Sequence, residues 1–499
     1  MTASKNGMKH KCPGDGRCNL HEHAVFKLLT LCFLLLFLSP TCTANSIVEI
    51  GPVNTPHGAV ILIVDGLSSS YIYPEYTPYA IDGSELEKAR PEKILSIFDQ
   101  SCRVLDVTAP QTFTEGGHSV LATGYSKADG ELVGAYRTTI YDVAHDNDYM
   151  AFAIMQKGDS SGMCSKQNVV IHDVDNSINE PKMVTDTNML STSDKSISFA
   201  VADMMQEHSS ILQGILDQYP EGSQERYDAY DIWAIDTGTA LVGFMAKEYP
   251  EQNYILTINA GAVDSAGHYK KDSGYIATIE GLDEATFELY TTCLENDMAF
   301  ILTGDHGMAF PTADSRGGHQ SDKYSVMTES QKVPFIISAE DVDTGVIQGK
   351  FGQEDIAPTI LEVLNLHGEL RVADGTAIHV KDYVNLRVSL PEEGDIIILR
   401  NEETIYQNTN EGTISFMGLE SGIEYILRYT STSEPDNIIE YTIDTGSSTF
   451  LDILSLTQAE GSQSTGDGSF WNKRYIAGGV LIVCVNLTGL ALIRKILKE

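Results

Sequence analysis

From residue 58 onward the chain alternates two patterns: short runs that are apolar without a break, and longer stretches where apolar residues recur every three or four positions. GAVILIVDG (58–66) is of the first kind. It is β-branched and stopped by Asp-Gly, the pattern of a strand buried on both faces of a parallel sheet. SCRVLDVTA (101–109), NYILTINAG (253–261), MAFILTG (298–304) and KVPFIISA (332–339) read as further strands. Helical spacing occupies 91–100, 197–219, 230–249, 283–295 and 354–366. Strands alternating with helices predict an α/β domain over 45–385: a doubly wound, mostly parallel sheet with helices on both faces. Residues 125–194 are rich in Gly, Asp and Ser, with MAFAIM and NVVIH as isolated apolar stretches. The pattern places further strands and substrate-side loops there without resolving them.

The texture changes near residue 385. DIIILRN, ETIYQN, TISFMG, EYILRYT and IIEYTI are short strands divided by polar turns. They predict a small antiparallel β-sandwich over 386–455. A Gly/Ser-rich stretch follows, and 456–474 reads as a flexible stalk. Both ends carry targeting patterns. A basic start (Lys5, Lys9, Lys11, Arg17), an apolar run at 28–38 and small residues ending at Ala44 make 1–44 a signal peptide. Residues 475–493 are uncharged and predominantly apolar, long enough for one transmembrane helix. Together these segments predict a single-pass protein of the cell membrane. Its catalytic domain would be extracellular and residues 494–499 a cytoplasmic tail.

Composition narrows the partners. The 499 residues include 70 acidic and 33 basic ones, a formal charge of −37. Nucleic acid is held mainly by Lys and Arg, so it is excluded as a partner. Of eight cysteines, only Cys102, Cys164 and Cys293 lie between the signal region and the span. Three scattered cysteines make no disulfide framework and no CxxC metal site.

Five stretches bring metal-ligand side chains to strand ends or loops: ILIVDG (61–66), VTAPQTFTEGGHSVLATG (107–124), INAGAVDSAGH (258–268), ILTGDHG (301–307) and RGGHQ (316–320). In the second, Ser119 onward reads as a helix start. In open α/β sheets ligands bind outside the carboxyl ends of the strands. Singly each motif is weak: an Asp after a strand is usually a cap, and Asp264 with His268 could be an ordinary polar pair in a loop. As a set they describe a nucleophile beside a two-metal site, because mixed Asp/His sets suit Zn²⁺, with Mn²⁺ the alternative.

VDG, Thr-x-x-Gly-His, Asp-x-x-x-His, Asp-His-Gly and the later Gly-His resemble the alkaline phosphatase superfamily over residues 59–375. The closest branch contains type I phosphodiesterases and cofactor-independent phosphoglycerate mutases. The resemblance implies two divalent metal ions and a threonine nucleophile. Asp65, Asp305 and His306 match the ligands of the metal that also binds the nucleophile. Asp264, His268 and His319 match those of the second. Thr114 matches the nucleophile; Thr112 sits two residues too early. His118 is implied to orient the turn, with no ligand role. The implied function is hydrolysis of phosphoric esters, on a small molecule or a cell-surface glycan or lipid, through a phosphothreonine-type intermediate. A phospho-alcohol transferase, a sulfatase-like hydrolase of surface glycans or lipids, and a catalytically inactive surface-binding ectodomain are the rival readings. The sulfatase C/S-x-P-x-R turn is absent, its place taken by TFTEG. Arg137, Lys157 and Lys166 are candidate anion clamps in the unresolved 125–194 region.

Overall fold

A computed structural model describes residues 46–453, except 159, 191–193, 367–369, 444 and 447. The expected signal peptide (1–44), stalk, transmembrane helix (475–493) and tail lie outside the described residues. Among the described residues, no helix is long and apolar enough to cross a membrane.

Ten strands form one large sheet: β2 (Gly58–Val64), β3 (Cys102–Thr108), β4 (Met150–Met155), β5 (Val169–Asp173), β6 (Met183–Thr187), β7 (Tyr254–Ala260), β8 (Met298–Thr303), β9 (Lys332–Ser338), β10 (Gly345–Ile347) and β11 (Phe351–Gly352). β1 (Ser46–Glu49) belongs elsewhere. The order is β10-β3-β9-β8-β2-β7-β4-β5-β6, with β11 beside β3. β8, β2, β7, β4 and β5 run parallel at the centre. β9 runs antiparallel between β8 and β3, and β6 is an antiparallel edge. The expected mostly parallel sheet is therefore present, while KVPFIISA is its antiparallel member.

The apolar runs explain the layers. Successive side chains of a strand point to opposite faces. Val60, Leu62 and Val64 enter one core, with Tyr230, Trp233 and Tyr275. Ala59, Ile61 and Ile63 enter the other, with Ile356 and Ile360. Helices Gln224–Glu248 and Ile356–Val363 thus cover opposite faces. Residues 125–194, which the sequence pattern left unassigned, supply β4, β5, β6 and three short helices, among them Ile140–Asp146 and Ser161–Lys166.

The remaining strands form two four-stranded sheets: β12 (Tyr383–Ser389), β13 (Gly394–Arg400), β14 (Glu403–Asn410), β15 (Thr413–Glu420), β16 (Tyr425–Ser431), β17 (Ile438–Ile443) and β18 (Thr449–Asp452). One has the order β14-β13-β16-β17 and is antiparallel throughout. The other, β1-β15-β12-β18, corrects the purely antiparallel expectation. β1 joins β15 in parallel and β18 joins β12 in parallel, so the first described residues complete the C-terminal unit.

Candidate metal centre

The ligand residues gather where the central strands end. Asp65 follows β2, Asp305 and His306 follow β8, and Asp264 and His268 lie just beyond β7. The Asp264–His268 pair, expected at a strand end or in a loop, is on a helix, Ala262–Tyr269. A spacing of four places both on one helical face. Thr114 is the first residue of helix Thr114–Thr123, so the helix begins five positions before the expected Ser119.

Two glycines let these segments meet. Gly66, at φ +77°, ends the β2 run; a Cβ there would lie 3.0 Å from Asp264 Cα. A Cβ on Gly117 would lie 2.3 Å from the Asp305 carbonyl oxygen. The helix carrying Thr114 therefore rests directly on the backbone carrying Asp305.

Two groups of side chains offer ligand atoms within 4.8 Å of one another: Asp264, His268 and His319, and Asp65, Asp264 and His306. Asp264 Oδ1 is 3.3 Å from Nε2 of both His268 and His319. His306 Nε2 lies 3.5 Å from Asp65 Oδ1, 3.4 Å from Asp305 Oδ2 and 3.3 Å from Thr114 Oγ1. Ligands about 2.0–2.2 Å from a tetrahedral ion stand about 3.3–3.5 Å apart, so this spacing suits a small divalent cation. The stacked His306 and His319 rings, 3.8 Å between centroids, bring the two groups together.

The polar accounting points the same way. Both oxygens of Asp65, Oδ1 of Asp264 and Oδ2 of Asp305 are buried with no hydrogen-bond partner. Buried carboxylate oxygens are costly unless paired or coordinating a cation. Burial pushes the Asp65 carboxyl well up, helped by Asp305 and Asp264. Burial likewise pushes Asp305 up to about 7, with Asp264 adding to the rise. Asp264 is the exception: burial opposes its charge, yet Lys157 and the two imidazoles hold its carboxyl well below the usual range. Burial and His319 together drive the His306 imidazolium form out, pushing its pKa well down.

Outer partners fix which nitrogen faces the centre. His319 Nδ1 donates to the Thr112 carbonyl at 2.7 Å, and His306 Nδ1 donates to that of Gly307 at 3.0 Å. In the neutral rings each Nε2 is then the nitrogen that can ligate an ion at the centre, as outer-shell hydrogen bonds arrange at metal sites. Thr112, the competitor for the nucleophile's place, has its own hydroxyl donated to the His319 carbonyl at 2.8 Å. His118 is buried, its Nδ1 donating to the Thr114 carbonyl at 3.0 Å.

Several supporting residues have no motif signature. Asn259 donates to His118 Nε2 at 3.2 Å and accepts from the Lys157 backbone amide at 2.6 Å. Gln353 donates to the Gly304 and Asp305 carbonyls at 2.9 and 2.7 Å. Asp231 accepts from the Ala262 amide at 2.8 Å, at the start of the helix that carries Asp264. A buried polar residue inside an apolar run was the one available signal, and only for Asn259.

The three candidate clamps separate. Lys157 Nζ stands 2.8 Å from Asp264 Oδ2, inside the cluster. Arg137 is half-exposed and pairs with Asp146 at 2.8 Å. Lys166 is buried against Asp142 at 2.7 Å, and its ammonium also donates to the Ala135 carbonyl. Their charges are taken up locally by residues of the 125–194 region, so the structure does not bring Arg137 and Lys166 to the centre.

Comparison with known proteins adds a family. Residues 237–368 match the model described as "Metalloenzyme superfamily". 2,3-Bisphosphoglycerate-independent phosphoglycerate mutase of Gracilaria tenuistipitata var. liui is 25% identical over 144 residues, 28% of this chain and 27% of that protein. The same-named protein of Ureaplasma urealyticum is 29% identical over 156 residues, 31% of this chain and 29% of the relative. The chain thus spans less than a third of the length of these curated relatives. Among solved structures, alkaline phosphatase PafA is 11% identical with a TM-score of 0.47, covering 66% of this chain and 99% of that one. A phosphonate monoester hydrolase from Silicibacter pomeroyi is 11% identical with a TM-score of 0.42, covering 87% and 94%. A 2-O GAG sulfatase is 10% identical with a TM-score of 0.41, covering 88% and 92%. Asp264, His268, Asp305, His306 and His319 all fall within residues 237–368, the part of this chain that is similar to the metalloenzyme superfamily.

Proposed function

We propose that this chain hydrolyses phosphoric esters, with Thr114 as the nucleophile, outside the cytoplasm on a membrane tether. The observation that carries the reading is the row of partnerless carboxylate oxygens on Asp65, Asp264 and Asp305, with the Thr114 hydroxyl 3.3 Å from His306 Nε2 beside them. The six ligand side chains would hold two divalent cations. When bound, such ions supply positive charge that activates a hydroxyl and stabilises attacking and leaving oxygens.

The chain's own groups do the rest. His118 grips the Thr114 carbonyl and so fixes the first turn, aiming Oγ1 at the centre. Thr114 Oγ1 attacks phosphorus as its proton passes to solvent, and the ester oxygen departs with the bonding pair, taking a proton from solvent to leave as the alcohol. Water then attacks the phosphothreonine, releasing phosphate or a phosphomonoester and restoring the hydroxyl. Lys157, at the edge of the cluster, offers its ammonium to a phosphoryl oxygen. Glu115 beside the nucleophile repels a dianion, which favours a diester. A transferase would use the same first half, with an alcohol in place of water. Support for that second reading is that the matched relatives are named as mutases.

The test is one assay of the purified protein with Zn²⁺ or Mn²⁺. It compares p-nitrophenyl phosphate, the bis ester and the sulfate, with and without an added alcohol, beside Thr114→Ala. Phosphate-ester cleavage that disappears in the variant while metal content stays near normal is expected. Full activity in Thr114→Ala would overturn the assignment. Phosphorylated alcohol formed in preference to inorganic phosphate would select the transferase.

A further inference from the structure

The ten-stranded sheet ends in an open edge. β6 is last in the order, and among the described residues no strand pairs with its outer side. Val174 N donates to the Lys182 carbonyl at 3.1 Å, and Asn188 N to the Asn168 carbonyl at 2.9 Å. Hydrogen-bonded pairs alternate along an antiparallel ladder, so the even-numbered residues of β6 turn their main-chain groups toward β5. Met183, Thr185 and Thr187 turn theirs outward, a row of donors and acceptors that fits one more strand. Side chains alternate as well. Helix Lys195–Leu216 packs on the face that holds Ile171, with Val201 and Met205 in the same core. Lys182, Val184 and Asp186 lie on the other face and are exposed, Val184 to 40%.

Charged side chains on an edge strand ordinarily repel other strands. Here one basic and one acidic residue stand symmetrically about an apolar one, and that spacing makes the edge complementary to itself. In a second copy running antiparallel, with Val184 opposite the partner's Val184, each Lys182 faces the partner's Asp186. The same register sets Met183 opposite the partner's Thr185. Both carry outward main-chain groups, so the ladder closes with its hydrogen bonds matched. The registers on either side, centred on Met183 or Thr185, set Val184 against a charge instead. Within one copy Lys182 pairs with Asp175, and Asp186 with His172 at 3.1 Å. The carboxylates of both pairs are about half exposed. Such surface pairs contribute little, so exchanging partners costs little. We propose that two copies of this chain join edge to edge through β6, about a two-fold axis at Val184. The two large sheets then run on as one, and the exposed valines cover each other. The dimer rests on no reading of the activity.

Light scattering on the purified full chain across the micromolar range tests it, with oxidised samples run on a non-reducing gel. Expected is a mass that rises with concentration to twice that of one chain. Lys182→Asp sets like charges against each other at both ends of the pairing and should weaken the dimer about tenfold. Lys182→Asp with Asp186→Lys exchanges the charges and should restore it, which also shows that the edge still folds. Val184→Cys places two thiols in a pair whose Cα atoms would stand about 4.5 Å apart, within disulfide reach, so oxidation should link two chains. Glu180→Cys, also exposed but held away from its own copy by this register, should link far more slowly. A single-chain mass at every concentration would overturn the proposal. So would a dimer that Lys182→Asp leaves untouched, a charge exchange that fails to restore it, or Val184→Cys linking no faster than Glu180→Cys.

Discussion

Gly117→Ala adds one methyl group where the helix carrying Thr114 rests on the Asp305 backbone. The new Cβ would sit 2.3 Å from the Asp305 oxygen, 2.8 Å from its carbonyl carbon and 2.9 Å from its Cβ. Those atoms are main chain and the root of a buried ligand, so the helix must retreat, by roughly 1 Å to restore ordinary van der Waals contact. Overpacking of this kind costs about 1–3 kcal/mol. Alanine in place of glycine inside a helix returns about 1 kcal/mol. The net loss is about 0–2 kcal/mol, a melting temperature lower by no more than roughly 8 °C. The effect on turnover is larger, because a misplacement of about 1 Å at a reacting group costs on the order of 100-fold. Gly243→Ala is the control: its added Cβ meets nothing within 4 Å. The assay is kcat/KM on the best phosphate ester, with metal content and a thermal melt of the same samples. A fall of about 100-fold in Gly117→Ala, with two metals retained and the fold intact, is expected. A rate within threefold of the parent would refute the packing argument, because the helix would then have had room to spare.

Three further outcomes follow from the same structure. In metal-free protein the raised Asp305 carboxyl, at about 7, contributes stability that is fully present below about pH 4 and lost as pH rises through 7. Asp305→Asn should therefore melt progressively higher than the parent between pH 5 and 8, by up to about 4 kcal/mol in stability; chelated samples melted across that range would show it, and a constant difference would sink it. Asn259→Ala takes a donor from His118 and an acceptor from the Lys157 amide, and should cost about 2–3 kcal/mol in urea unfolding. Lys381 is buried where the α/β unit meets the sandwich and donates to Val363 O, Asn365 Oδ1 and Tyr383 Oη. Lys381→Met strands those acceptors and the buried Glu362, so the same urea assay should register a loss of about 3 kcal/mol; a change under about 1 kcal/mol would mean the sandwich is not held by this joint.

The central strands were legible because a strand buried on both faces shows little polar alternation: GAVILIV is a continuous apolar run, YILTINA is interrupted only by Thr257 and Asn259, and the two lie paired in parallel. Direction was not legible. KVPFIIS reads like its neighbours, yet it runs antiparallel to both β8 and β3. β1 was invisible, since SIVE is four residues whose partner, β15, lies far along the chain. At the site, fixed spacing picked out the Asp and His side chains that the fold brings together, whereas Gln353, Asp231 and Asn259 act through hydrogen bonds from distant segments and leave no spacing to recognise. Arg137 and Lys166 misled because a basic residue in an acidic chain suggests an anion clamp, while in the fold the same acidity supplies each with a local partner.

Lys157 is the clamp candidate that the fold does bring inward, and its geometry gives it two separable roles. The Asp264 carboxylate is divided: Oδ1 faces the two imidazoles at 3.3 Å, and Oδ2 meets the Lys157 ammonium at 2.8 Å. A cation at the His268–His319 face can therefore take Oδ1 without displacing the lysine, but it must enter against a fixed positive charge. Lys157→Met removes that repulsion and frees Oδ2, so the second metal should bind at least about tenfold tighter, because a divalent and a univalent charge about 5–6 Å apart at an effective dielectric near 20 repel by about 6 kcal/mol. The same variant removes the ammonium offered to the phosphoryl group, so KM for a phosphate ester should rise while metal content does not fall. Metal affinity by competition with a chelator and KM measured at saturating metal separate the two. Weaker metal binding would mean that the lysine's main service is to hold Asp264 in position. Tighter binding with an unchanged KM would remove it from substrate recognition and leave the developing phosphoryl charge to the cations alone.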